Sequence, residues 1–174
     1  MKLNEVLVDR LLKIFMVLLP TSFTFFVVID NIFFAWDDNY QFIKHVMSMD
    51  TVESVVEWRG INSPFMWKAA YTFLIVFETL TFFVGIFALY KLIRALKKDT
   101  EAFFKAKIWG YVTFVLTLVI WFVGFIDLGG EWFKMWLSPS WNGQPIAMWL
   151  SIFFAILLVF FHLPEPKEEL IKSD

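Results

Sequence analysis

The chain has 174 residues, 59% of them hydrophobic and 21% aromatic, with 23 phenylalanines and a formal net charge of −2. A soluble domain is closer to half apolar, so this excess points to lipid as the solvent, and the lack of a basic stripe removes nucleic acid as a partner. There is no cysteine, which excludes disulfides, thiolate metal sites and thiol nucleophiles.

The apolar runs predict four membrane spans, at about residues 12–36, 66–92, 108–127 and 145–163, in a single transmembrane domain covering 1–174. The first follows Lys2, Arg10 and Lys13 and continues past Pro20 without a small-x-small cleavage site, so it reads as a retained anchor rather than a signal peptide. Pro20 removes a backbone donor, and Thr21, Ser22 and Thr24 are placed to satisfy the freed carbonyls.

Residues 37–65 form the longest polar stretch. Phe42, Ile43, Val46 and Met47 recur there at helical spacing, opposite Gln41, Lys44, His45 and Ser48. Asp50 with Glu53 resembles a capping box that would open a second short helix through Trp58. One or two amphipathic helices are therefore expected on the membrane surface or over the bundle. The second span opens on Ser63 and Pro64, a cap followed by a proline at the first helical position.

The stretch 93–107 reads as a short basic connection. The third span is uncharged from 108 to 126 and is expected to end at Asp127, Leu128 and the Gly129–Gly130 pair. The loop 128–144 follows; Trp132, Met135 and Trp136 are expected on one face of a short helix, with Glu131 and Lys134 towards the other. The last span starts at Pro145, and 164–174 reads as a solvated tail. Asn62 with Pro64 and Trp67 echoes Asn142 with Pro145 and Trp149. A helix entering from the outer face favours a cap, a proline and an interfacial tryptophan, and that local reason is preferred to an internal repeat.

Orientation follows from the cations. Eleven of the 15 lysines and arginines, among them Lys2, Lys91, Arg94, Lys167 and Lys172, fall on one side, and Lys44, Arg59, Lys68 and Lys134 fall on the other. The positive-inside rule then places both termini in the cytoplasm and both aromatic loops outside. His45 and His162 fall on opposite sides in this topology, so a bis-histidine haem is not expected, and neither is any other cofactor.

Three groups of residues carry what chemistry there is. Glu78 lies 11 residues after Trp67, about 16 Å down an α-helix and near the bilayer midplane. It reads either as a proton, cation or ligand site, or as a protonated acid hydrogen-bonded to a neighbouring Thr, Trp or carbonyl that holds helices in register. Asp30 and Asn31 lie just below the outer interface, while Asp127 and Glu131 flank the outer end of the third span. These acids either form an ion-paired lid with Arg59, Lys68 or Lys134, or offer oxygens to a hard cation. Finally, Trp36, Trp58, Trp67, Trp132, Trp136 and Trp141 all fall in or beside the outer loops, whereas an ordinary aromatic belt populates both faces. Trp58, Arg59, Trp132, Trp136, Trp141 and Asn142 make a candidate recognition cap, or else a plug in the bundle mouth.

No Gly-x-Ser-x-Gly motif, Ser–His pairing or phosphate-cradling loop is present, so no catalytic activity is expected. His45 beside the outer acids is the one combination that could serve as a general base.

Several stretches together resemble one family. They are His45-Val-Met-Ser-Met-Asp-Thr51, Trp58-Arg59, Ala69-Ala-Tyr71, Glu78-Thr-Leu80, Trp121-Phe-Val-Gly-Phe125, Gly129-Gly-Glu-Trp-Phe-Lys-Met-Trp136 and Trp141-Asn-Gly-Gln144. The chain is similar through them to the domain of unknown function 2165 family (DUF2165), small integral membrane proteins of bacteria. The resemblance covers about residues 30–163 and implies a four-span protein of the bacterial inner membrane; it implies no activity.

The expected fold is thus an all-α, up-down, four-helix transmembrane bundle with short amphipathic helices in its outer loops. The leading expectation for function is a non-catalytic accessory or partner-binding subunit, docking another membrane protein or a second copy of itself and contacting membrane lipids. The alternative is a small-molecule, lipid, quinone or proton-coupled site at Glu78. A membrane enzyme using outer-loop acids is the remaining class.

Overall fold

The computed structural model describes residues 5–166; the expectations for Lys2 and for the tail 167–174 lie outside the described residues. The described chain is helical, without strands, and four of its helices are long and apolar enough to cross a membrane. The α-helices in order are α1 (Glu5–Ile29), α2 (Trp36–Ser48), α3 (Pro64–Ala95), α4 (Thr100–Leu118) and α5 (Gln144–His162), and all but α2 belong to those four. Two of them change winding at one end: α1 runs on as a π-helical turn, Asp30–Phe34, and α4 as a 14-residue π-helix, Val119–Trp132. α1, α3, α4 and α5 form the antiparallel four-helix bundle that the apolar runs predict. α1 packs on α3, α4 and α5, and α4 also packs on α3 and α5.

The helices outrun the predicted spans. α3, with 32 residues, is about 48 Å long, well beyond a ~30 Å hydrocarbon core. The basic stretch 93–107 is not a simple connection either. Asp99 caps a helix there, its carboxylate accepting from the Ala102 amide at 2.7 Å, and α4 begins at Thr100. The charges of Lys105 and Lys107 concealed a helix that starts two turns before its apolar run.

At the other limit of that span, the Gly129–Gly130 pair does not end the helix. Both glycines are buried inside the π segment, which continues to Trp132. A Cβ on Gly129 would meet the Met135 thioether at 3.1 Å and one on Gly130 the Gln144 amide at 2.9 Å, so these glycines serve close packing rather than termination. Beyond them Lys134 adopts a left-handed conformation and Met135–Leu137 forms a single 3₁₀ turn. The expected helix with Trp132, Met135 and Trp136 on one face is therefore not formed. Met135 is buried while both tryptophans remain exposed; the plug in the mouth is a methionine.

Local signals fare better at Ser63, whose hydroxyl accepts from the Met66 amide at 3.5 Å ahead of Pro64. The Asp50–Glu53 capping box does not form. Asp50 instead binds the His45 ring, and Glu57 accepts from the Ser54 amide at 3.0 Å, leading into a 3₁₀ turn at Glu57–Arg59. Around Pro20, Thr21, Ser22 and Thr24 donate to Val17, Leu19 and Pro20 carbonyls. None takes the Met16 carbonyl that proline leaves without its usual donor.

The core sits at one end. Val17, Ala88, Leu92, Phe103, Phe114 and Phe161 are buried together in the half where α3 joins α4. Close approach there depends on small residues: a Cβ on Gly110 would fall 2.5 Å from the Phe161 ring, and one on Gly85 would collide with the Thr21 hydroxyl. Small residues of this kind let membrane helices approach backbone to backbone. Arg10 ties the same end together, with its guanidinium donating to both Glu165 oxygens (2.8 and 3.0 Å) and to the Leu96 and Lys98 carbonyls. Burial works against the Glu165 carboxylate, but the hydrogen bond and charge of Arg10 outweigh it and hold the carboxyl below its ordinary range. This end is called the cation end below, and the opposite one the loop end.

Candidate functional site

At the loop end the bundle opens into a cleft of about 280 Å³. Its inner wall is polar. Glu78, on α3 and only 2% exposed, accepts from the Asn31 side-chain amide at 2.8 Å. Asn31 in turn accepts through Oδ1 from the Asn39 amide at 2.8 Å and from the Tyr71 hydroxyl at 3.2 Å, and its backbone carbonyl also accepts from Tyr71 at 3.2 Å. Asn31 is thus the hub that joins α1, α2 and α3. Glu78 Oε2 is satisfied by this hub, Oε1 has no hydrogen bond to another described residue, and Glu78 lines the cleft.

The π winding explains why Asn31 is available. In this turn the Ala35 amide donates to the Asp30 carbonyl at 2.8 Å, an i→i−5 bond that accommodates one extra residue per turn. The opposite wall, Trp121 and Phe125, comes from the other π segment; these rings stack at 4.9 Å. Each wall of the cleft thus contains π-wound residues, Asp30 and Asn31 beside α3 on one side and Trp121 and Phe125 on the other, and this rare winding is frequent at functional sites. α2 roofs it, with Phe42 stacked on Phe125 at 6.1 Å. Across Phe42, Ile43, Leu74 and Phe125 lies a second, apolar cavity of about 350 Å³.

The predicted polar residues divide into two groups. Asp30, Asn31 and Glu78 line the cleft together. Asp30 is otherwise exposed, at 3.4 Å from the Asn39 amide. Asp127 and Glu131 do not join them: Asp127 is exposed, and Glu131 pairs with Lys134 at 2.9 Å on the loop surface. Among the described residues no three acids or histidines converge as metal ligands, so the hard-cation arrangement is not formed by these side chains. The expected partner of Glu78 was a Thr, a Trp or a carbonyl; it is an asparagine. Asn39 and Tyr71 were missed altogether. Tyr71 stands seven residues, two helical turns, before Glu78 on α3, and that spacing was the available signal.

The two loops form one cap. Arg59 lies over the rings of Trp132 (5.0 Å) and Trp58 (5.6 Å) rather than against an acid, and Thr51 and Ser138 share a hydrogen bond of 2.7 Å. Trp141 stacks on the His45 ring at 4.5 Å, and His45 Nδ1 in turn meets Asp50 at 2.8 Å. Asn142 accepts from the Gln144 amide at 3.1 Å, ahead of α5. Trp141, Arg59 and Asn142 are thus committed to holding the cap. Trp58 is 75% exposed, and Trp132 and Trp136 are about half exposed.

A family model described as "Predicted small integral membrane protein (DUF2165)" covers residues 9–164. The chain belongs to the DUF2165 family. No curated protein and no solved structure matches it. For this DUF2165 member the match extends from α1 to Pro164, so both walls of the cleft, its roof and the cap lie within the family region.

Proposed function

We propose that this protein is a non-catalytic binding protein of the bacterial inner membrane that takes a small amphipathic cation into the loop-end cleft. The observation that carries the reading is the Glu78 side chain, buried and lining the cleft, with one carboxyl oxygen held by Asn31 and no described partner for the other. No lysine or arginine lines the cleft to neutralise Glu78 or Asp30. Its other wall is aromatic: Phe42, Trp121 and Phe125 offer π faces to a positive head group. An intramembrane acid facing an accessible cavity is by default a functional group. The ligand class follows: a cationic or strongly hydrogen-donating head with an apolar body.

Decyltrimethylammonium, titrated calorimetrically into the protein in a non-ionic detergent, tests this, with 1-decanol as the uncharged comparison. The cation should bind and decanol should not compete; Glu78→Gln should weaken cation binding about tenfold or more. Equal binding by Glu78→Gln, or no preference for the charged head, would sink the reading.

A second reading, docking of another membrane protein or a second copy of this chain, is favoured by the exposure of Trp58 and Trp136 on the cap, since exposed tryptophans are enriched at interfaces. Recovery of the chain alone and monomeric from gentle detergent would count against it.

The distribution of cations supports cytoplasmic termini and a periplasmic cap. Arg10, Lys13, Lys91, Arg94, Lys97 and Lys98 gather at the cation end, where positive-inside placement puts the cytoplasm.

A further inference from the structure

The cation end contains a buried charge that no described acid pairs with directly; Asp9 and Glu165 act on it only at longer range. Lys107 sits seven residues into α4, about 10 Å from its first turn, and two residues before Trp109, whose half-exposed ring suits the membrane interface. Its side chain points inward and the residue is 3% exposed. The ammonium lies over the rings of Phe161 (5.0 Å) and Tyr111 (5.6 Å) and makes no hydrogen bond or ion pair with any described residue. The acids near it are already engaged: Glu165 is held by Arg10 at 2.8 and 3.0 Å, and Asp9 by Lys13 at 2.7 Å. A buried charge without a direct partner is unfavourable, and an anion entering from outside relieves that cost.

The space for that counter-ion is present. Lys107 lines an open cavity of about 1090 Å³ between the start of α1, the start of α4 and the end of α5. Lys97 and Lys98 stand on its polar side beside Asp99, whose carboxylate caps α4, and Thr100, which is hydrogen-bonded to Glu165; Phe103 and Leu163 form its apolar side. A halide is far too small to use this volume or these separated donors. Several cationic donors around a wide space suit the three or four oxygens of a phosphate group, and the apolar flank at interfacial depth suits what such a group is esterified to.

We propose that this cavity is a phosphate-binding site with Lys107 as its buried counter-charge, occupied either by the headgroup of an anionic phospholipid or by a free phosphate. The site is separate from the loop-end cleft and does not depend on the function proposed for it.

Thermal unfolding of the protein in non-ionic detergent tests the assignment with three additions: phosphatidylglycerol, diacylglycerol of the same chains, and inorganic phosphate at matched ionic strength. Phosphatidylglycerol should raise the unfolding temperature and diacylglycerol should not. A rise with inorganic phosphate as well identifies the free anion as sufficient; a rise with the lipid alone identifies the headgroup. Lys107→Met should bind the effective addition about tenfold more weakly or worse, and Lys105→Met, at an exposed position paired with Glu101, should leave it unchanged. Lys107→Met removes a buried charge while keeping an unbranched apolar chain only one atom shorter, so it is expected to fold in detergent. The wild-type comparison is decisive without it. No preference for phosphatidylglycerol or phosphate over diacylglycerol, or an undiminished response in Lys107→Met, overturns the proposal.

Discussion

Asn31 and Glu78, 47 residues apart, meet through a single 2.8 Å hydrogen bond that fastens the π turn of α1 to the middle of α3. Every other polar group of the inner cleft wall reaches Glu78 through that asparagine.

Removing the donor should therefore be costly. Asn31→Ala leaves Glu78 Oε2 buried without a partner and is expected to destabilise the protein by about 2 kcal/mol. Glu78→Gln retains an acceptor oxygen and should cost less. The double variant Asn31→Ala, Glu78→Gln should cost less than the sum of the two single changes, because the residues act as one unit. Thermal unfolding of the four proteins closes the cycle, and strict additivity would show that the hydrogen bond contributes nothing.

The α1–α3 contact should be equally sensitive to size. Gly85→Ala sets a methyl group against the Thr21 side chain, and overpacking of this kind costs about 1–3 kcal/mol. Adding Thr21→Ala removes the atoms it meets first, so the pair should recover part of the loss. No recovery would place the strain elsewhere.

The Arg10–Glu165 pair gives a pH dependence of definite sign. The Glu165 carboxyl is held below its ordinary range by Arg10 despite burial. A group whose folded value is depressed adds stability above its unfolded value and loses it as pH falls through the folded one. Unfolding temperature should thus decline below about pH 4, where free glutamate becomes protonated. Glu165→Gln should start lower at neutral pH and show a shallower acid decline; an identical acid slope in both proteins would remove Glu165 as the cause.

Because the chain has no cysteine, single cysteines report orientation cleanly. With the termini in the cytoplasm, Asn142→Cys on the cap should react with a membrane-impermeant maleimide in intact spheroplasts, and Lys98→Cys only after permeabilisation. The reverse pattern would invert the proposed topology.

What could be read directly from the chain was local or periodic. The four apolar runs, the Ser63–Pro64 start and the amphipathic face of α2 rest on contacts within one or two turns, and the structure contains all three. The π segments rest instead on which carbonyl an amide selects, five rather than four residues back, and composition does not record that choice. Hence Gly129–Gly130 read as a stop, and Asn31 gave no sign of turning towards Glu78. Lys107 misled for a related reason: a charge in a basic stretch suggests solvent, and only the folded positions of Phe161 and Tyr111 put it inside. The tryptophans gather at the loop end as expected, but their division into holders of the cap and exposed rings follows from contacts remote in sequence, Arg59 over Trp132 and His45 on Trp141.

The position of the core has a mechanical consequence. Val17, Leu92, Phe114 and Phe161 bind the helices together at one end, beside the open cavity at Lys107, while the other end lacks such a cluster and holds two cavities lined in part by π-wound residues. Local opening is easiest where buried apolar contacts are fewest. Backbone amides around Phe114 should therefore exchange with solvent last, and those from Val119 towards Trp132 far sooner. The molecule is built like tweezers, with a fused hinge and compliant tips.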